Sequence, residues 1–184
     1  MCLESNTMTT LRINRAPVLT LWAAIVAEQI GLPHETALTA GQAVAGMTAH
    51  AKGVRLGIYA ETSDGKPKPA PAKPEGATGA IKEFLLLGRI VHIADSKDGP
   101  RAINKGELGK PAAVDKYLRS KFGEHLDAAR KAMEALAATL PPNELNAKAF
   151  RLYEQFRPEV PSDEKGWGAK GILDLARIHK LAGG

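Results

Sequence analysis

Apolar residues recur along this chain at two spacings, and the change of spacing marks where one kind of structure should give way to another. Val18, Leu21, Trp22 and Ile25 form one stripe, Leu19, Val26 and Ile30 widen it, and Ala23, Ala24 and Ala27 leave little polar surface. That repeat of three and four residues predicts a helix over 17–30, apolar almost all round and so central to the core. Pro17 stands in its first turn, where a missing N–H costs nothing, and Gly31 stands just past its end. A second helix opens at Pro33 and Glu35, reaches about 52 and stops at Gly53. It is built from small residues, Ala37, Ala40, Gly41, Ala43, Ala45, Gly46 and Ala49. A glycine inside a helix costs about 1 kcal/mol relative to alanine, so Gly41 and Gly46 predict something packed very close. Residues 11–62 therefore read as a tight helical hairpin.

The pattern then breaks. Residues 63–80 hold Pro67, Pro69, Pro71 and Pro74 among alanine, glycine and lysine, a composition that builds no core and predicts an extended loop or linker. From 83 the run EFLLLGRIVHIA is dense in large apolar residues, with Arg89, Val91 and Ile93 alternating against Ile90, His92 and Ala94. That is strand spacing, with Gly88 as a bulge or bend; DSKDGP supplies a turn and RAINK returns as the second strand of a β-hairpin. Helical spacing resumes in three segments, 111–122, 124–140 and 143–156, and a short last helix starts at Asp174, a good N-cap. The fold class expected is α+β and predominantly helical: a helical hairpin, a proline-rich loop, one β-hairpin in 81–184, then three to four helices around a core shared with 11–62.

At 184 residues the chain can bury a core without staples. Its single cysteine, Cys2, lies near a terminus, so no internal disulfide and no cysteine-held metal is expected, a usage that suits the reducing cytoplasm. Arg12 and Arg15 ahead of the apolar run 18–27 look superficially like a signal peptide. Ile25 is a poor residue three places before a cleavage at Ala27, and the run falls well short of the about 20 apolar residues a membrane span requires. No membrane association is expected. The 25 basic and 20 acidic residues give a net charge of +5, thinly spread except over 97–121. There Lys97, Arg101, Lys105, Lys110, Lys116, Arg119 and Lys121 face Asp98, Glu107 and Asp115, a net +4. A basic hairpin followed by a helix with Lys116 and Arg119 on one face could lay several cations along a phosphate backbone, so these seven are the candidate nucleic-acid contacts. Base stacking is not offered, because Tyr117 and Phe122 fall on the apolar stripe.

Two motifs dissolve on inspection. GWGAKG, residues 166–171, has the letters of a G-x-G-x-x-G phosphate cradle, but neither a strand pattern before it nor room for an acidic residue some 20 positions later. It reads instead as a hinge that lays Trp167 on the body of the protein, and Trp22 and Trp167 are the two expected structural anchors. HETAL, residues 34–38, begins like the zinc motif H-E-x-x-H, yet Leu38 stands where the second histidine belongs, so Glu35 is better explained as an acid at a helix start. Glu124, His125 and Asp127 form another acidic first turn, covered by the same dipole argument, and His50, His92 and His179 have no second ligand at metal spacing. No catalytic residue, metal or cofactor is assigned.

The runs PVLTLWAAIVAE, AKGVRLGI, KAFRLYEQFRP and GWGAKGILDL resemble a set of small conserved bacterial proteins of unknown function, over most of the chain from Leu11 onward. The resemblance implies a bacterial, single-chain, soluble protein and transfers no site. Three readings of function follow. The first is a non-catalytic binding or interaction protein that reaches nucleic acid through the basic hairpin and helix. The second is a structural protein that forms a homodimer through the small-residue helix, and the third is an enzyme whose site is assembled from distant residues.

Overall fold

The computed structural model describes residues 10–55, 73–158 and 170–183. In chain order it contains β1 (Thr10–Asn14), α1 (Arg15–Gln29), α2 (His34–Arg55), β2 (Ala77–Leu86), β3 (Arg89–Ser96), β4 (Arg101–Asn104), β5 (Glu107–Leu108), α3 (Pro111–Phe122), α4 (Leu126–Ala137), α5 (Pro142–Phe156), β6 (Lys170–Asp174) and α6 (Leu175–Leu181). A single 3-10 turn, Gly123–His125, joins α3 to α4. The fold is α+β and mainly helical.

Helix α1 is the axis of the molecule. Every residue from Pro17 to Ala27 is buried, and α2, α3, α4 and α5 all pack on it. The helix starts two residues earlier than proline alone suggests, at Arg15, because Pro17 is still within a first turn that needs no N–H there. Trp22 is wholly buried; its indole Nε1 donates to the Ala149 carbonyl at 2.9 Å, and its ring meets Phe156 edge-on at 5.3 Å. The close neighbour that Gly41 implies is α1 itself. A Cβ at Gly41 would run into the Thr20 carbonyl oxygen and stand 3.2 Å from the Ala24 Cβ. Helix α2 also continues through Gly53 to Arg55, since an internal glycine weakens a helix without stopping it.

The strand region is more elaborate than one hairpin. Four antiparallel strands lie in the order β2-β3-β4-β5. The apolar run that reads as one bent strand folds back on itself at Leu87 and Gly88, whose φ values of 51° and 76° make a two-residue turn, with Leu86 paired to Arg89. Positive φ at both central residues matches the twist of the strands, and Lys105 and Gly106 repeat the device between β4 and β5, at 54° and 81°. Strand β2 begins within the proline-rich stretch, so 77–80 are sheet and not spacer; residues 63–72 lie outside the described residues. Between Ala77 and Ile81, β2 carries three residues against one of β3, an irregularity that bends the strand. A Cβ at Gly76, just before it, would stand 3.3 Å from Leu108 Cδ1 in β5, so the two edges of the sheet approach each other.

Hydrogen bonds fasten this sheet to α2. The Thr39 hydroxyl donates to the Thr36 carbonyl and accepts from the Ala102 N–H, at 2.7 and 2.9 Å, while the Thr36 hydroxyl donates to the Pro100 carbonyl at 2.7 Å. From α5, Asn146 donates its amide to the Leu85 carbonyl and accepts from the Leu87 N–H, which caps the end of the β2 edge.

A second sheet pairs β1 with β6, Thr10 opposite Asp174 and Ile13 opposite Gly171. Lys170 and Gly171 are therefore strand and not hinge, and Gly171 is buried. The rest of the GWG segment, Trp167 included, lies outside the described residues. Asp174 caps α6 by accepting from the Ala176 N–H at 3.0 Å. One apolar cluster runs from Ile13 through both helical regions and the sheet to Ile178.

Candidate functional site

The bend in β2 and the turns of the sheet leave a cleft of about 800 Å³. Its walls come from segments far apart in sequence: Glu35 of α2, the approach to β2 at Glu75, Gly76 and Thr78, and the β3–β4 turn from Ser96 to Asp98. Arg101, the β5 residues Glu107 and Leu108, and the opening of α3 from Lys110 to Ala112 complete it. The turn is tightly tied, because the Ser96 hydroxyl donates to the Gly99 carbonyl at 2.6 Å. Gly109 brings the chain from β5 into α3 by donating to the Ala102 carbonyl at 2.8 Å, and a Cβ there would stand 2.6 Å from the Thr39 Cβ.

Arg101 sets the character of this cleft. Only 7% of the residue is exposed. Its Nη1 donates to the Pro100 carbonyl at 2.8 Å, and its Nη2 donates to the Asp98 carbonyl at 3.1 Å and stands 3.5 Å from Glu35 Oε2. Glu35 is thus more than an acid at a helix start: it is the carboxylate partner of a buried guanidinium, itself 64% exposed at the mouth. A charge so removed from water has to be offset by pairing and hydrogen bonding, and here two carbonyls accept from the guanidinium while a single carboxylate oxygen stands 3.5 Å away.

The seven basic residues have different surroundings. Arg101 lies in the cleft wall, only 7% exposed, so it is not part of a surface row of cations. Lys97 and Lys110 line the cleft beside Glu35, Glu75, Asp98 and Glu107, so four carboxylates share the space with three cations. Arg119 holds Asp115 at 2.7 Å along α3, which keeps its guanidinium above the ordinary value and occupies its charge. Lys121 sits over the Tyr117 ring at 5.9 Å, and Tyr117 itself is half-buried, its phenol pushed up by burial. Lys105 at the β4–β5 turn and Lys116 on α3 are exposed. Charges counted along the sequence omit Glu35 and Glu75, which the fold brings into the cleft from outside the basic stretch.

Elsewhere, Leu85 and Ile90 face each other across β2 and β3 at 58% and 50% exposure. His34 pairs with Glu28 at 3.1 Å, and His92 lies 4.0 Å from Glu83 across the same two strands. Among the described residues no group of three histidine, cysteine or acidic side chains could hold a metal ion, and no helix is long and apolar enough to cross a membrane. Sequence reasoning missed Glu75, Thr36, Thr39 and Gly109 altogether. The one available signal was a glycine two residues ahead of a helix-starting proline, which marks a close approach without saying to what. Comparison with protein-family models, curated proteins and solved structures finds no match to this chain.

Proposed function

We propose that this chain is a non-catalytic binding protein and that the cleft around Arg101 is its binding surface. Support comes from the convergence of four separated segments on one concavity, with a nearly buried arginine in its wall. Ligand sites are concavities of this size that place a few polar groups at fixed positions. Here those groups are held by turns and threonine hydrogen bonds that fasten the sheet to α2.

Nucleic acid is a weaker fit than the sequence suggests. A phosphate backbone needs several uncommitted cations in a row. Arg101 is sunk in the cleft wall, Arg119 is paired with Asp115, and Lys97 and Lys110 stand among carboxylates, which among the described residues leaves Lys105, Lys116 and Lys121 outside ion pairs. A homodimer through α2 is also disfavoured, because Ala37, Ala40, Gly41 and Val44 pack inside the chain.

The test is a titration of ¹⁵N-labelled protein with a panel of tripeptides, nucleoside monophosphates and duplex DNA at low salt. Saturable shifts at Thr78, Gly109 and Ala112 with any member are expected. No saturable shift there across the panel, or shifts centred on another face, would overturn the reading. Binding of duplex DNA with a steep salt dependence, centred on Lys105 and Lys116, would put the nucleic-acid reading first.

A further inference from the structure

We infer that the cleft receives a carboxylate group, carried by a zwitterionic ligand of amino-acid or peptide kind with a cationic side chain. The inference rests on the cleft being the binding surface and adds the chemical class of its ligand.

The carboxylate requirement comes from Arg101. A guanidinium has five N–H donors in a planar fork that matches a carboxylate. Two of them go to the Pro100 and Asp98 carbonyls, and the contact to Glu35 is 3.5 Å and uses one oxygen. The remaining donors belong to a side chain that is almost wholly buried yet forms part of the cleft wall. A ligand carboxylate is the group that completes this pairing, and a bidentate one does so with geometry that Glu35 does not supply.

The ligand's positive charge follows from the rest of the lining. Glu75, Asp98 and Glu107 contribute three further carboxylates against Lys97 and Lys110. A purely anionic ligand would meet net repulsion there, whereas one bearing an ammonium or guanidinium at some distance from its carboxylate meets both signs in place. The volume of about 800 Å³ is ample for one amino acid and sufficient for a short peptide end.

The probes are L-arginine, the tripeptide Gly-Gly-Arg, the C-terminal amide of each, acetate and inorganic phosphate, followed by amide shifts of the full chain. L-arginine or Gly-Gly-Arg should give saturable shifts at Gly76, Thr78, Gly109 and Ala112, with the matching amide weaker by about tenfold or more, since a charged hydrogen-bonding group is lost. The tighter of the two acids identifies the source as a free amino acid or a peptide end. Arg101→Lys, which keeps the charge and removes the fork, should bring the acids down to the level of their amides. Because that residue is buried, Glu107→Gln at the exposed rim gives an independent check: it should weaken L-arginine and its amide alike and leave acetate unchanged. Equal binding of acid and amide, or phosphate binding while the carboxylates do not, would overturn the inference and leave the cleft as the binding surface. Silence of the cleft toward these probes and the wider panel would remove both.

Discussion

The α1–α2 hairpin and the four-stranded sheet pack against each other, yet they keep their shapes by different means. The hairpin is held by volume: Trp22 fills the centre, and Gly41 lets two helix backbones meet where any side chain would collide. The sheet is held by conformation and hydrogen bonds, through two turns with positive φ, an irregular β2 and threonines that satisfy its backbone groups. A region held by volume has no room for a ligand. One held by hydrogen bonds at its turns can keep a cleft open and a charged side chain in its wall, which is why the candidate site lies on the sheet side of the interface.

The largest effect that would break this contrast is the loss of Trp22. Trp22→Ala should destabilise the protein by about 4 kcal/mol, through the cavity and the lost indole hydrogen bond to Ala149, read as the urea midpoint. Next, Gly41→Leu should cost about 3 kcal/mol in the same assay, because α1 and α2 must separate to admit the side chain.

A pH effect of about 2 kcal/mol belongs to the hairpin's contact with α5. Burial pushes the Tyr153 phenol up to about 12, and its hydroxyl donates to the Arg15 carbonyl. An unfolded chain loses that proton near the ordinary value of about 10. The contribution is therefore full below pH 10 and is lost as pH rises from there through about 12. Alkaline unfolding followed at several pH values should show this decline, and Tyr153→Phe should flatten it.

On the sheet side the expected losses are smaller. Thr39→Val leaves the buried Ala102 N–H without a partner and should cost about 1–2 kcal/mol, with the Thr36–Ala102 region exchanging its amide protons first. Replacing Lys97, Lys110 and Lys116 together by alanine should change stability by less than about 0.5 kcal/mol, as exposed charges do, while altering ligand binding at the cleft. A large stability loss in that triple variant would show that these cations brace the fold.

The same contrast governs what could be read from the sequence. Helices α3, α5 and α6 announce themselves, because a 3.6-residue apolar period and local caps such as Asp174 are contained within each segment. Leu87 is where local reading fails: a leucine at positive φ carries no turn signature, so LLLGR looks like one continuous strand. The β1–β6 pair joins residues at opposite ends of the chain, and nothing within either strand names its partner. The cleft is hidden for the same reason. Arg101 looks like an exposed base after a turn until the fold places Glu35 and the α3 opening over it, and Glu75 seems to belong to a linker until β2 bends toward β5.

Chemical-shift mapping across both regions decides the matter most directly. With L-arginine or Gly-Gly-Arg, saturable shifts should gather at Gly76, Thr78, Gly109 and Ala112 while Ala24, Gly41 and Val44 in the packed hairpin stay in place. Saturable shifts centred on the exposed pair Leu85 and Ile90, or on the β1–β6 ribbon, with the cleft residues unmoved, would contradict the assignment of binding to the cleft.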